Sequence, residues 1–117
     1  MRLHCLIYLF HSARAVCSGF FIQHGFATII SAEMIRQNCW INQQVTIGFS
    51  TDTDRPKIGD NVTIYAEEKV RGNVRIGDNS IVGANAVVIK DVPENCTLVG
   101  VPAYIVRRNG VKVKEPL

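Results

Sequence analysis

The sequence predicts an all-β fold, a parallel β-helix in which short strands and tight corners alternate around an aliphatic core. From Ile58 to Pro93 the chain divides into six blocks of six residues, each beginning with Ile or Val. A six-residue period fits neither the 3.6 residues of a helical turn nor the alternation of a simple strand. Asn or Asp recurs in fourth place and Gly in second place, and both tolerate the left-handed backbone of a corner. Three blocks would close one coil and stack each aliphatic residue on its counterpart eighteen residues later.

The rest of the chain fits a single solenoid domain over residues 11–109. Residues 1–10 are apolar, and we expect them to cap the open first coil. A secretory signal fits them less well, because the apolar run is short and His4 interrupts it. The repeat is degraded from Phe10 and then becomes regular, with aliphatic first places at Ile29, Ile35, Ile41 and Ile47.

Two segments depart from the repeat. Eleven residues separate Ile47 from Ile58, so residues 50–57 are predicted to form a loop thrown out from a corner. The pattern changes again after Pro93, where a final strand pair is expected to close the last coil. The polar tail at 110–117 is expected to fray.

Composition restricts the class of protein. The chain of 117 residues has 13 Lys and Arg against 10 Asp and Glu, a balance that suits an anionic small ligand and not nucleic acid. No apolar run approaches the roughly 18 residues of a membrane span. Cys5, Cys17, Cys39 and Cys96 form no CxxC pair, which predicts reduced thiols in a cytoplasmic protein.

The same residues resemble the hexapeptide-repeat acyltransferases, whose fold is a left-handed parallel β-helix. The segments Phe20–Gly25, Trp40–Gly48 and Asp54–Gly59 are most similar to serine O-acetyltransferase, and the run Gly100-Val101-Pro102-Ala103 is typical of the acyltransferase branch. The resemblance covers roughly residues 9–109. It implies an acetyl-CoA-dependent O-acetyltransferase, working as a homotrimer with sites at the subunit boundaries.

The resemblance also assigns roles. His24 matches the general base that activates the acceptor hydroxyl, a role suited to a side chain that titrates near neutrality. Gln23, Asn42 and Arg55 match the acceptor site, although stacked amides and a surface ion pair are the alternatives for Asn42 and Arg55. The positions matching the contacts to CoA are Ala66, Ala84, Lys90 and Arg107.

Several positions depart from the family pattern. Gln23 and Leu9 stand where serine acetyltransferases carry acids, and Arg55 is followed directly by Pro56 where a second histidine is usual. Glu67 and Glu68 replace small residues beside the CoA path, so either the coil bulges there or CoA binds weakly. A sugar or polysaccharide O-acetyltransferase therefore remains an alternative, as does a trimeric scaffold or binding module without catalysis.

No metal site is predicted. The chain has three histidines, His4, His11 and His24, and they form no close pair of the kind that zinc-dependent solenoid enzymes need.

Overall fold

The protein is an all-strand parallel β-helix. The computed structural model describes residues 9–11, 15–16, 19, 21–22, 28–30, 32–48 and 55–117. The strands in these ranges are β1 Leu9–His11, β2 Ala15–Val16, β3 Phe21–Ile22, β4 Thr28–Ile30, β5 Met34–Ile35, β6 Trp40–Ile41, β7 Thr46–Gly48, β8 Lys57–Ile58, β9 Thr63–Ile64, β10 Lys69–Arg71, β11 Arg75–Ile76, β12 Ile81–Val82, β13 Val87–Val88, β14 Cys96–Val99, β15 Tyr104–Arg108 and β16 Val111–Pro116. The predicted fold is confirmed.

Successive strands belong to three different sheets, and each sheet forms one face of the solenoid. One sheet has the order β1-β4-β7-β10-β13, the second β11-β8-β5-β2, and the third β16-β15-β14-β12-β9-β6-β3. Within each sheet, strands of neighbouring coils pair in parallel, as between β7 and β10. Each coil therefore satisfies its backbone hydrogen bonds through the coils above and below it.

The core is a set of aliphatic columns inside the coils. Ile58 pairs with Ile76, and Ile64 pairs with Val82, each partner lying eighteen residues further along as predicted. All four side chains are buried. Burying such a side chain contributes about 1.5–3 kcal/mol, so these columns supply most of the drive for the coils to stack.

The register of one early strand differs from the prediction. Ile30, not Ile29, pairs with Ile47, and the Ile30 side chain is fully buried. Ile35 pairs with Ile58 as an inward residue, so only five positions separate the first places Ile30 and Ile35. The sixfold count from Ile29 was wrong because this corner is one residue shorter than the next two, which lead from Ile35 to Ile41 and from Ile41 to Ile47.

Asparagine and glycine have different roles at the corners. Asn61, Asn79 and Asn85 have positive φ angles, whereas Gly59 and Gly83 do not. A Cβ on Gly83 would lie 2.8 Å from the Leu98 carbonyl oxygen of the next coil. The glycines in second place therefore allow close approach of two coils, and the asparagines supply the left-handed backbone.

The C-terminal end is ordered as a hairpin. Strand β14 pairs in parallel with β12 and antiparallel with β15, and β15 pairs antiparallel with β16. Asn109 and Gly110, both with positive φ, form the turn between β15 and β16. The prediction that 110–117 frays was wrong, because an Asn-Gly turn lets these residues add a strand to the sheet.

Other predicted boundaries are met only in part. The boundary expected after residue 10 falls within β1, and residues 1–8 lie outside the described residues. Most of the loop expected at 50–57 also lies outside them, and its end at Arg55 and Pro56 leads into β8. Cys39 and Cys96 are buried free thiols. The part of the chain that the structure describes holds no helix able to cross a bilayer.

Candidate active site

The acceptor side of the candidate site begins where two neighbouring strands end. β3 pairs with β6, with Ile22 opposite Ile41. Gln23 is the next residue after Ile22, and Asn42 is the next residue after Ile41. Gln23 and His24 lie outside the described residues. The pairing of β3 with β6 nevertheless brings the chain just before Gln23 beside the chain just before Asn42, two positions that the sequence assigned to one site.

Asn42 is held by a neighbouring indole. The Trp40 Nε1–H donates to the Asn42 side-chain oxygen at 2.8 Å, and the Asn42 backbone N–H donates to the Ile64 carbonyl oxygen at 3.0 Å. The amide is half-buried, while Trp40 is 43% exposed. With its oxygen engaged, the amide is left to offer N–H groups to a ligand.

Arg55 is the first residue that the structure describes after residues 49–54, and it lies just before β8. Its side chain is half-buried, and it precedes Pro56, whose carbonyl oxygen accepts a hydrogen bond from the Glu33 N–H at 2.8 Å. This contact fixes the base of the loop against the preceding coil. A guanidinium at this position can bind a carboxylate through paired hydrogen bonds.

Ala66 and Ala84 form one row on a corner of the solenoid. They occupy equivalent places in successive coils, and the Asn85 N–H donates to the Ala66 carbonyl oxygen at 3.2 Å. Ala84 is exposed and Ala66 half-buried. Two small side chains leave this corner open to an extended ligand.

Lys90 lies in a groove at the C-terminal end, with a volume of about 520 Å³. Its lining is mostly apolar and includes Ile89, Val101, Ala103 and Tyr104. The Lys90 ammonium donates to the Leu117 carbonyl oxygen at 3.4 Å. The groove thus combines an apolar floor with one cation, a pattern common in small-molecule sites.

The remaining predicted CoA contact is not part of this groove. Arg107 is exposed on β15, where it pairs with Thr97 and Lys112. Ala66 and Ala84 do not line the groove either. The predicted contacts therefore fall into three places, namely the alanine corner, the lysine groove and the outer face of β15.

Glu68 is the most unusual polar residue beside the alanine row. Its side chain is fully buried, and neither carboxyl oxygen has a hydrogen-bond partner. Burial raises the pKa of the Glu68 carboxyl from 4.5 to about 9, so the group is neutral at pH 7. The coil does not bulge to release it, because β10 pairs in regular register with β7 and β13.

Two features of this region were missed from the sequence. The Trp40–Asn42 hydrogen bond joins residues two apart across a strand end, and no periodic pattern signals such a contact. The groove depends on β16, which the Asn109-Gly110 pair followed by alternating Val and Lys could have revealed.

The sequence and the fold are both similar to those of known proteins. Residues 55–90 match the bacterial transferase hexapeptide (six repeats) family. The chain belongs to the hexapeptide-repeat family. Serine acetyltransferase of Synechococcus elongatus is 38% identical over 111 residues, which cover 92% of this hexapeptide-repeat chain and 45% of the relative.

Solved structures give the same result. The Neisseria gonorrhoeae serine acetyltransferase in complex with serine superposes with a TM-score of 0.74 at 38% identity, covering 80% of this chain and 40% of that one. A serine acetyltransferase in complex with CoA has a TM-score of 0.73 at 35% identity, covering 79% and 39%. This hexapeptide-repeat chain thus spans about half the length of the curated relatives it matches.

Proposed function

We propose that the protein is an acetyl-CoA-dependent O-acetyltransferase of the serine acetyltransferase type. The observation that carries this proposal is identity of 38% across nearly the whole chain with a serine acetyltransferase. Solved relatives with serine and with CoA bound share the same fold. The open alanine corner and the lysine groove are features that an extended thioester can use.

His24 acts as the general base in the proposed reaction. It takes the proton from the acceptor hydroxyl as the oxygen attacks the thioester carbonyl, and the tetrahedral intermediate collapses by expelling the CoA thiolate. The proton on His24 then passes to that thiolate, which leaves CoA and an O-acetyl ester. A backbone N–H stabilises the oxyanion, a contribution that is among the largest in acyl transfer.

The cofactor arm runs along small side chains and ends at cations. Ala66 and Ala84 leave room for the pantetheine chain to contact the backbone, and Lys90 offers an ammonium to an anionic group. Arg107, which is exposed on β15, provides a second cation. Because acetyl-CoA is anionic, the excess of three positive charges on the chain also favours its approach.

The acceptor site combines Gln23, Asn42 and Arg55. Arg55 binds the carboxylate of a serine-like acceptor, and the Asn42 amide, oriented by Trp40, donates to a polar group of the same molecule. Gln23 stands where the relatives have an acid, so the ammonium group of serine meets an amide in place of a carboxylate. A sugar hydroxyl has no ammonium to satisfy, and this single position keeps sugar acetylation as the second candidate.

The working assembly in this proposal is a homotrimer. Each acceptor site would lie at a boundary between subunits, with His24 presented beside the CoA row of a neighbour. The exposed apolar side chains of Trp40 and Ile81, on one face of the solenoid, are the kind of surface such a boundary covers.

A thiol-release assay across acceptors tests the proposed activity. CoA release from acetyl-CoA is measured with serine, with an amino sugar and with a hexose at equal concentrations. We expect serine to give the highest kcat/KM. A preference for either sugar would replace serine in the proposal, and no release with any acceptor would contradict an enzyme of this class.

A scaffold without catalysis is the competing class, favoured by Gln23 and Glu68. Calorimetry with CoA separates the two classes, because a scaffold without catalysis does not need to bind CoA. We expect binding with a dissociation constant below 1 mM, on the order of ordinary substrate affinities. Absence of heat at millimolar CoA would favour the scaffold.

A further inference from the structure

Glu68 occupies a core position that elsewhere in the repeat is small or aliphatic. The register of β7, β10 and β13 places Glu68 between Val45 in the preceding coil and Ala86 in the next. Val45 and Ala86 are fully buried, as is the Glu68 side chain itself. A carboxyl group therefore interrupts an aliphatic column in the middle of the solenoid.

The backbone around Glu68 is fully tied to both neighbouring coils. The Glu68 carbonyl oxygen accepts from the Thr46 N–H at 2.9 Å, and the Lys69 N–H donates to the Ala86 carbonyl oxygen at 3.0 Å. The Glu67 N–H donates to the Gln43 carbonyl oxygen at 3.1 Å. Because these bonds hold the corner, the side chain cannot reach water unless several of them break.

No packed neighbour neutralises the carboxylate. The strands on either side, β7 and β13, contain no titratable residue, and the column partners Val45 and Ala86 are apolar. On its own segment, Lys69 and Arg71 are exposed cations and Glu67 is an exposed acid. The Ala86 N–H, which also donates to the Gly83 carbonyl oxygen at 3.3 Å, and the Lys69 ammonium both favour the charged form of Glu68, but the effect of burial outweighs them.

Ionisation in this position is therefore unfavourable while the corner stays closed. A buried carboxylate with neither an ion partner nor a hydrogen bond is strongly destabilised, and it avoids this cost by keeping its proton or by reaching solvent. Reaching solvent means opening the corner formed by residues 66–69 and 84–87. This corner contains the row of Ala66 and Ala84.

We propose that Glu68 is a proton-dependent positioning residue, which keeps the corner at residues 66–69 and 84–87 closed when neutral and opens it when ionised. The opening follows from the geometry of the core alone. The ligand consequence rests on the proposed function: acetyl-CoA requires the closed row of Ala66 and Ala84, so CoA binding and proton retention by Glu68 support each other.

The direction of the pH effect follows from the two states. Burial holds the pKa of Glu68 at about 9 in the closed state, against 4.5 for an exposed glutamate. Between these values the closed state keeps a proton that the open state has lost. The closed corner is thus fully favoured below pH 4.5, its equilibrium constant falls about tenfold per pH unit up to pH 9, and the dependence then levels off.

Hydrogen exchange read by mass spectrometry tests the opening. Protection of residues 64–70 and 84–88 is measured from pH 6 to 9, corrected for intrinsic exchange, in the native protein, in Glu68→Gln and in the matched surface control Glu67→Gln. We expect the native protein and Glu67→Gln to lose protection with pH, by about tenfold per unit relative to Glu68→Gln. If Glu68→Gln does not fold, Glu68→Val serves as the reference, because valine is the residue at position 45 in the same column.

Equal slopes of protection against pH in the native protein and in the Glu68 variants would overturn the proposal.

Calorimetry with CoA at pH 9, in buffers of different ionisation enthalpy, tests the ligand consequence. We expect the native protein to take up more protons per CoA than Glu68→Gln, by at most about half a proton, because the closed state is half protonated at this pH. Equal uptake would overturn that consequence. Absence of CoA binding in every protein would instead contradict the proposed function and leave the exchange result to decide the opening.

Discussion

At the scale of single residues, Glu67 has a backbone that its side chain does not favour. Its φ of 63° matches the φ of Asn61, Asn79 and Asn85 at equivalent corners. Asparagine tolerates this conformation better than glutamate does. We expect Glu67→Asn to raise the free energy of unfolding by about 0.5–1 kcal/mol in urea denaturation, whereas Glu67→Gln, which keeps the same backbone preference, leaves it unchanged. A loss of stability in Glu67→Asn would contradict this explanation of the corners.

Gly83 and Gly48 make a matched pair for the role of close approach. A Cβ at Gly83 would lie 2.8 Å from the Leu98 carbonyl oxygen and from a Val99 methyl, whereas a Cβ at Gly48 would meet only a Thr46 methyl at 3.9 Å. We expect Gly83→Ala to lower the free energy of unfolding by about 1–3 kcal/mol, as overpacking does. Gly48→Ala should change it by less than about 0.5 kcal/mol. Equal losses in the two variants would exclude coil contact as the reason for Gly83.

The sequence predicted residue roles well where the repeat is exact. The inward positions of Ile58, Ile64 and Val70 follow from the period alone, because only one side of each short strand can face the core. The sequence placed Glu68 beside the CoA path, but it did not predict that the coil would remain regular around this side chain. Whether a core absorbs a polar group depends on the backbone hydrogen bonds of neighbouring coils, and these are not visible in a local pattern.

At the scale of elements, the β15–β16 hairpin is the least expected part of the fold. Its turn has φ angles of 51° at Asn109 and 80° at Gly110. Pro116 at the end of β16 and the following Leu117 form one wall of the groove. We expect Gly110→Ala to weaken the hairpin by about 1 kcal/mol, since only the backbone strain changes and nothing lies within 4 Å of the added methyl.

Amide exchange across the chain measures that effect. Exchange of residues 111–116 should become several-fold faster in Gly110→Ala, while residues 58–88 keep the exchange rates of the native protein. Faster exchange throughout the coils would mean that β16 stabilises the whole solenoid and is not a separate element. No change anywhere would mean that the turn does not need its glycine.

The elements were otherwise predictable to the extent that their corners are uniform. From Ile58 to Val88 the corners have the same length, and the predicted strands coincide with β8 to β13. After Val88 the count is two residues shorter, because Val92 pairs with Ile76 and Leu98 pairs with Val82. Before Ile58 the corner between Ile30 and Ile35 is one residue shorter, and counting sixes therefore misplaced the inward residue. Corner length is set by local backbone geometry, which a count of aliphatic residues does not detect.

At the scale of the whole molecule, the proposed site needs more than one chain. The three sheets give the solenoid three flat faces, and identical prisms can pack side by side with their coils in step. We expect light scattering coupled to size-exclusion chromatography to give three times the mass of the chain. A monomeric mass together with full transferase activity would contradict a site built between subunits.

The candidate site was predicted residue by residue from resemblance and not from the repeat. The repeat explains why Ala66 and Ala84 share a corner, and the register of β3 with β6 explains why Gln23 and Asn42 follow neighbouring strands. Nothing in the periodicity selects His24 among the three histidines. Chemistry at that position comes from the similarity to serine acetyltransferases, and it has to be measured directly.

Steady-state acetyl transfer by His24→Ala is that measurement. The rate of CoA release is compared among the native protein, His24→Ala and His11→Ala, with CoA affinity determined for each by calorimetry. The proposed mechanism predicts a fall in kcat of about 10²–10⁴-fold for His24→Ala with CoA affinity unchanged, and kcat within about twofold of native for His11→Ala. Native kcat in His24→Ala, with serine as acceptor, would contradict it.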